Sequence, residues 1–207
     1  MTPDLALGEL LSAAIAVCEQ PADEGSAAAG FFSDIARLAR VAPANPNPPA
    51  PRRLPACRHL ARALSLAEQG PAAEVAGAYP ALDERLRWIQ NPNYLRDPKM
   101  RAFLRDYAYV ELVGRGGIAL EEDAALGLLL IGPHCHYPPH SHPAQEVYLV
   151  VAGAARWWRE GEPWQTLPAA AFVHHAPHVT HAMRTLDEPL LALYAWRGEI
   201  ATAARLV

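Results

Sequence analysis

A change of hydrophobic period near residue 106 limits what this chain can fold into. Before it, apolar residues recur at helical spacing among Ala, Leu, Arg and Glu. After it, the spacing shortens toward two and turn residues interrupt it often. A period of two sends successive side chains to opposite faces of a strand. The pattern predicts strands at 107–113, 125–131, 136–142, 146–152, 154–159, 171–175, 180–185 and 190–197. Gly114-Arg115-Gly116-Gly117, Gly153, Glu160-Gly161-Glu162-Pro163 and Asp187-Glu188-Pro189 divide them. Many short strands with close turns describe an antiparallel barrel or sandwich rather than βαβ units. The expected organisation is a helical N-terminal region over 1–106 and a β-barrel over 107–207.

Within the first region, Thr2-Pro3 reads as a hydroxyl N-cap followed by proline at the first helical position. Leu5, Leu7, Leu10, Leu11, Ala14, Ile15 and Cys18 then carry an apolar face to about residue 20. Ser26 is expected to cap a second helix with Phe31, Ile35, Leu38 and Val41 inward. Prolines 43, 46, 48, 49, 51 and 55 make the next stretch an exposed, semi-rigid connection. Further helices are expected at about 55–69, ended by Gly70, at 80–90 and at 98–106. Two roles are open to this half. Its helices and proline segment form a lid over the barrel mouth, or they form a structural bundle or the contact of a homodimer.

Composition narrows the function classes. Of 207 residues, 51% are hydrophobic, enough for one sizeable core. The net charge is −4, and Lys99 is the single lysine, which opposes a nucleic-acid or anionic-membrane partner. No apolar run approaches the roughly 18–20 residues of a spanning helix, and no basic segment opens a signal peptide. Cys18, Cys57 and Cys135 are odd in number and widely spaced, as in a reducing, cytoplasmic protein.

Of nine histidines, all but His59 fall between 134 and 181. His140-Ser-His142 places two imidazoles on one face of a strand, and Glu146 opens the next apolar run. Two imidazoles and a carboxylate suit a divalent ion such as Zn, Fe, Mn, Co or Ni. A fourth ligand must come from a later strand, and His181 is the best placed. Two positions beyond Glu146, Tyr148 shares its face. A phenol beside a cation has its pKa lowered, so Tyr148 is a candidate general base or a further ligand. His134, His136, His174, His175 and His178 read as lining, loop or surface residues. Cys135 lacks an orienting third group for nucleophilic work, and of Trp157-Trp158 one is expected inside the barrel and one outside.

The run from His140 to Gly153 resembles the first motif of the cupin superfamily. Pro168-Ala169-Ala170 and His181 resemble the second, with alanine where that motif carries glycine. The resemblance implies a mainly β fold, the double-stranded β-helix barrel. Residues 100–200 are further similar to the bacterial dimethylsulfoniopropionate lyases, notably 127–133, Tyr137-Pro138, 140–148, 177–185 and 189–198. That resemblance implies a metal-dependent β-elimination of a small-molecule substrate, giving dimethyl sulfide and acrylate. It implies metal ligands at His142, Glu146 and His181, with His140 as a further one, and Tyr148 as base. Tyr137, His178 and Trp196 are implied to face the substrate, His178 standing where some members carry tyrosine. Two alternatives stay open: a cupin dioxygenase or isomerase acting on another small acid, and a non-catalytic ligand-binding cupin.

Overall fold

The computed structural model describes residues 4–20 and 26–207. Among these, the helices are α1 (Leu5–Cys18), α2 (Ala27–Val41), α3 (Leu60–Glu68), α4 (Ala73–Ala78), α5 (Pro80–Asp83), α6 (Pro92–Leu95) and α7 (Arg101–Leu104). Short 3-10 turns at Pro55–His59 and Pro98–Met100 lead into α3 and α7. The strands are β1 (Tyr107–Val113), β2 (Ala124–Ile131), β3 (His136–Ser141), β4 (Gln145–Ala152) and β5 (Ala155–Arg159). They continue as β6 (Gln165–Leu167), β7 (Phe172–His175), β8 (His181–Thr185), β9 (Leu190–Arg197) and β10 (Arg205–Leu206). Two five-stranded sheets result, ordered β1-β2-β9-β4-β7 and β10-β3-β8-β5-β6, with antiparallel pairing between neighbours. This is the mainly β, cupin-like barrel with a helical segment ahead of it.

Alternation along β4 assigns its side chains to two compartments. Tyr148 and Val150 point between the sheets, where they meet Trp157, Val173 and Met183. Val147, Leu149 and Val151 point outward into a core shared with the helices. The same division separates Leu126, Leu128 and Leu130 of β2 from Leu129 and Ile131. Strands covered on both faces read as nearly continuous apolar runs, as β2 and β9 do. The helical half therefore buries the outer face of the first sheet. Phe32 of α2 sits edge-on to Phe172, with ring centroids 6.1 Å apart.

Several local expectations are corrected. The Thr2-Pro3 start lies outside the described residues; Asp4 is the N-cap of α1, its carboxylate accepting from the Leu7 N–H at 3.1 Å. Ser26 caps α2 as expected, but the buried face is Ala29, Phe32, Ile35, Ala36 and Ala39. Leu38 and Val41 are exposed, at 38% and 69%. Small alanines alternate on this face with two large buried side chains, Phe32 and Ile35. The helix expected at 80–90 ends at Asp83. Beyond it Trp88 N–H donates to Arg52 O at 2.8 Å, and Ile89 and Tyr109 exchange two bonds of 2.8 and 2.9 Å. Those backbone groups find the proline segment at Arg52 and the edge of β1 at Tyr109 instead of the previous helical turn. The proline segment is irregular and pinned, with Asn45 N–H on Ile118 O at 2.8 Å and Leu120 N–H on Pro43 O at 2.9 Å.

Candidate metal centre and its cavity

Strand register assembles the cluster. His140 lies opposite His181 in the β3·β8 pair, after a register shift between Tyr137 and His140. A bend at Pro143 carries His142 past the end of β3 and returns the chain into β4. Glu146 lies opposite Trp196 of β9 and, on its other side, opposite His175 of β7.

Each of the three motif imidazoles is oriented by a carbonyl two residues away. Nδ1 of His140 meets Pro138 O at 2.8 Å, Nδ1 of His142 meets Ala144 O at 3.0 Å, and Nδ1 of His181 meets Val179 O at 2.9 Å. A carbonyl can only accept, so the proton belongs on Nδ1 and the Nε2 lone pair is left for the interior. Nε2 of His142 is 3.2 Å and Nε2 of His181 is 3.4 Å from Oε2 of Glu146. One ligand atom from each of these three residues falls within 4.8 Å of the others. His181 Nε2 is buried without a hydrogen bond. Burial pushes the Glu146 carboxyl up, but positive charge at the His142 and His181 rings outweighs this and draws it well below the usual carboxylate range. Two carbonyl-oriented imidazoles, a charged carboxylate and an unsatisfied nitrogen fit a divalent cation.

His140 stands beside this trio. Its ring stacks on Tyr137 at 3.9 Å and 8° and meets His181 edge-on at 4.2 Å. Burial, then His181, holds its pKa well below the ordinary histidine value, so it is neutral. Trp196 Nε1–H donates to Oε1 of Glu146 at 2.5 Å, and its ring stacks on His142 at 4.2 Å. Tyr148 is buried, and burial followed by the Glu146 charge raises its phenol well above the ordinary tyrosine value.

A cavity of about 380 Å³ opens onto this cluster, lined by Tyr137, Glu146, Tyr148, Tyr194 and Trp196 among others. Asn91 and Pro92 from the helical half and Ile200, Ala203 and Ala204 from the tail complete its wall. The proline segment contributes nothing to that lining. Tyr94, in α6, was not expected here; its hydroxyl is 3.1 Å from that of Tyr137.

The remaining candidates divide. His178 is exposed, in a left-handed turn at φ 64°, with its N–H on His142 O at 2.8 Å. The structure does not bring its ring into the cavity. His175 had no assigned role, yet its ring is buried and stacks on His181 at 3.9 Å with neither nitrogen hydrogen-bonded. No sequence signal marks it, because only the β4·β7 register brings it to Glu146. The Cys135 thiol is pushed up to about 11, chiefly by burial, which leaves it unsuited to nucleophilic work. Trp157 lies inside the barrel and Trp158 at its surface, as alternation required.

Fold and site together define a cupin-type enzyme with a buried His-Glu-His set that meets an aromatic cavity through Glu146. The chain belongs to the dimethylsulfoniopropionate lyase family, whose model matches residues 32–192, and is a carbon–sulfur lyase by class. It is 36% identical over 165 residues to a Cereibacter sphaeroides protein assigned as the dimethylsulfoniopropionate lyase DddL, covering 78% of this chain and 68% of that one. It is 37% identical over 101 residues to the dimethylsulfoniopropionate lyase DddQ of Ruegeria pomeroyi, covering 49% and 50% of the two chains. Among solved structures, the fold superposes on that DddQ with a TM-score of 0.73 and 29% identity, over 99% and 97% of the chains. A structure from a study of the lyases RdDddP and RnDddQII matches with a TM-score of 0.78 and 26% identity, over 98% of each chain. Among the described residues no helix is long and apolar enough to cross a membrane.

Proposed function

We propose that this chain cleaves dimethylsulfoniopropionate to dimethyl sulfide and acrylate, with a divalent cation held by His142, Glu146 and His181, His140 beside them, and Tyr148 as the base. The observation that carries this reading is the adjacency of Glu146 and Tyr148 on the interior face of β4, both lining one cavity. A site that seats a carboxylate against the His-Glu-His set puts the carbon next to that carboxylate near the phenol.

When bound, a divalent cation supplies Lewis-acid stabilisation of the charge that develops on the substrate carboxylate, and it offsets the Glu146 charge that opposes ionisation of Tyr148. Tyr148 takes the α-proton. The C–H electron pair becomes the new C=C bond, and the C–S pair leaves with sulfur as neutral dimethyl sulfide. Acrylate remains, and one proton passes on to solvent. Trp196 holds Glu146 through its indole N–H and offers a ring to the sulfonium end. Tyr137 steadies the His140 ring by stacking. The buried setting strengthens each of these electrostatic contacts.

Metal-loaded protein incubated with dimethylsulfoniopropionate is expected to release dimethyl sulfide and acrylate in equal amounts without consuming oxygen. Gas chromatography and an oxygen electrode read both. Oxygen uptake in step with turnover, or no dimethyl sulfide, contradicts the proposal.

A further inference from the structure

The hydroxyl of Tyr94 is left unused by the proposed chemistry, although it reaches the site from the helical half. Asn91 caps α6, its Oδ1 accepting from Asn93 N–H at 2.9 Å. The Nδ2 groups of Asn91 and Asn93 both donate to Ala204 O, at 2.9 and 3.0 Å, and pin the helix to the tail. Tyr94 is thereby held, fully buried, against Tyr107, Tyr137 and His140, with ring centroids 6.2, 5.8 and 6.5 Å away.

Among the described residues its hydroxyl has one hydrogen-bond partner, the hydroxyl of Tyr137 at 3.1 Å. Burial raises both phenols above the ordinary tyrosine value, so each keeps its hydrogen. One bond between two hydroxyls uses one hydrogen, and the surroundings decide where the other goes. Were Tyr137 the donor, the Tyr94 hydrogen would be buried without an acceptor, which is costly for a polar group. With Tyr94 as donor nothing is stranded, because Tyr137 lines the cavity and Tyr94 does not. The Tyr137 hydrogen then points into the cavity.

The acid offers that hydrogen only one strong acceptor. A cationic sulfonium group does not accept, whereas a carboxylate does so strongly. Tyr137 stacks on His140, and His140 meets His181 edge-on, so one imidazole separates the Tyr137 ring from the candidate ligands. We infer that Tyr94 is a positioning residue: it holds Tyr137 as a hydrogen-bond donor to the carboxylate of the acid seated at the His142–Glu146–His181 set. This rests on the seating of the acid proposed above. It gives the helical half a part in substrate binding, beyond covering the first sheet.

Acrylate carries the carboxylate without the sulfonium and serves as the probe. Its affinity for metal-loaded protein is read by calorimetry in wild type, Tyr94→Phe, Tyr137→Phe and the double variant. Tyr137→Phe is expected to weaken acrylate by about tenfold or more, as loss of a hydrogen bond to a charged group does. Tyr94→Phe keeps the ring. It is expected to weaken acrylate about threefold to tenfold in wild type and not at all in the Tyr137→Phe background. The Co²⁺ affinity of Tyr94→Phe is expected to equal that of wild type, since the Tyr137 ring and its stack on His140 stay in place. Unchanged acrylate affinity in Tyr94→Phe, or the same loss in both backgrounds, overturns the role of Tyr94 alone in a protein that releases dimethyl sulfide. So does a parallel loss of cobalt and acrylate affinity, which marks a structural role. If acrylate does not bind wild type, the seating of the acid fails and this inference falls with it.

Discussion

At the residue scale, the cluster depends on groups beyond the three candidate ligands. Trp196 fixes one oxygen of Glu146, leaving the other for His142 and His181. Partners of this kind typically change metal affinity 10–100-fold when removed. Trp196→Phe is therefore expected to weaken Co²⁺ binding by about that factor in a titration of metal-stripped protein. An unchanged affinity would show that Trp196 only packs. His142 and Glu146 were legible in the sequence because a strand period and one fixed motif spacing place them, and His181 because it stands at the histidine of the second motif it resembles. His175 and Tyr94 were not, since His175 reaches Glu146 only through the β4·β7 register and Tyr94 meets Tyr137 from a short helix distant in the chain. The expected depression of the Tyr148 phenol runs opposite to what burial and Glu146 impose on the protein's own groups. It requires the cation.

At the scale of elements, caps and turns decide where the sequence pattern breaks. Asp4 caps α1 and is also bonded by Arg85, whose Nη1 donates to Oδ1 at 3.2 Å. The Arg85 hydrogen bond, against some desolvation, lowers the Asp4 carboxyl below its ordinary value. A carboxyl depressed on folding adds stability above its unfolded pKa, near 3.9, and that stability is lost as pH falls through the folded value. Asp4→Ala is expected to cost about 1 kcal/mol at pH 7 in urea unfolding, with the difference shrinking below about pH 3. A cost that does not shrink in acid would contradict the ion pair. Ala170, where the cupin motif has glycine, holds φ 67° and donates its N–H to Val150 O at 2.8 Å. A left-handed alanine is strained, so Ala170→Gly is expected to stabilise by about 0.5–1 kcal/mol. The longer strands were legible from alternation and turns. β6 and β10, three and two residues long, are too short to carry a period, and 84–90 reads as helix in sequence because its backbone partners, Arg52 and Tyr109, are distant in the chain.

At the scale of the whole molecule, the helical half works as a cover for the first sheet. Phe32, fully buried between α2 and that sheet, is its central contact. Phe32→Ala is expected to cost about 3–5 kcal/mol of unfolding free energy while leaving metal content at native levels under folding conditions. Asn91, Pro92, Ile200, Ala201, Ala203 and Ala204 line the cavity and no residue of the proline segment does, so of the two roles open to residues 43–55 the lid finds no place in the wall. The two halves are legible in sequence because the hydrophobic period changes at their junction. Their shared core is not, because outward-facing strand residues look the same whether helix or solvent lies beyond them.

The proposed elimination turns on Tyr148 acting as a base next to the His142–Glu146–His181 set. Dimethyl sulfide release by Tyr148→Phe, measured at metal content matched to wild type by elemental analysis, tests this most directly. The account predicts loss of at least a hundredfold in rate, with metal retained, since a positioned general base contributes about 10²–10⁴. A rate within a few-fold of wild type at equal metal content would contradict it.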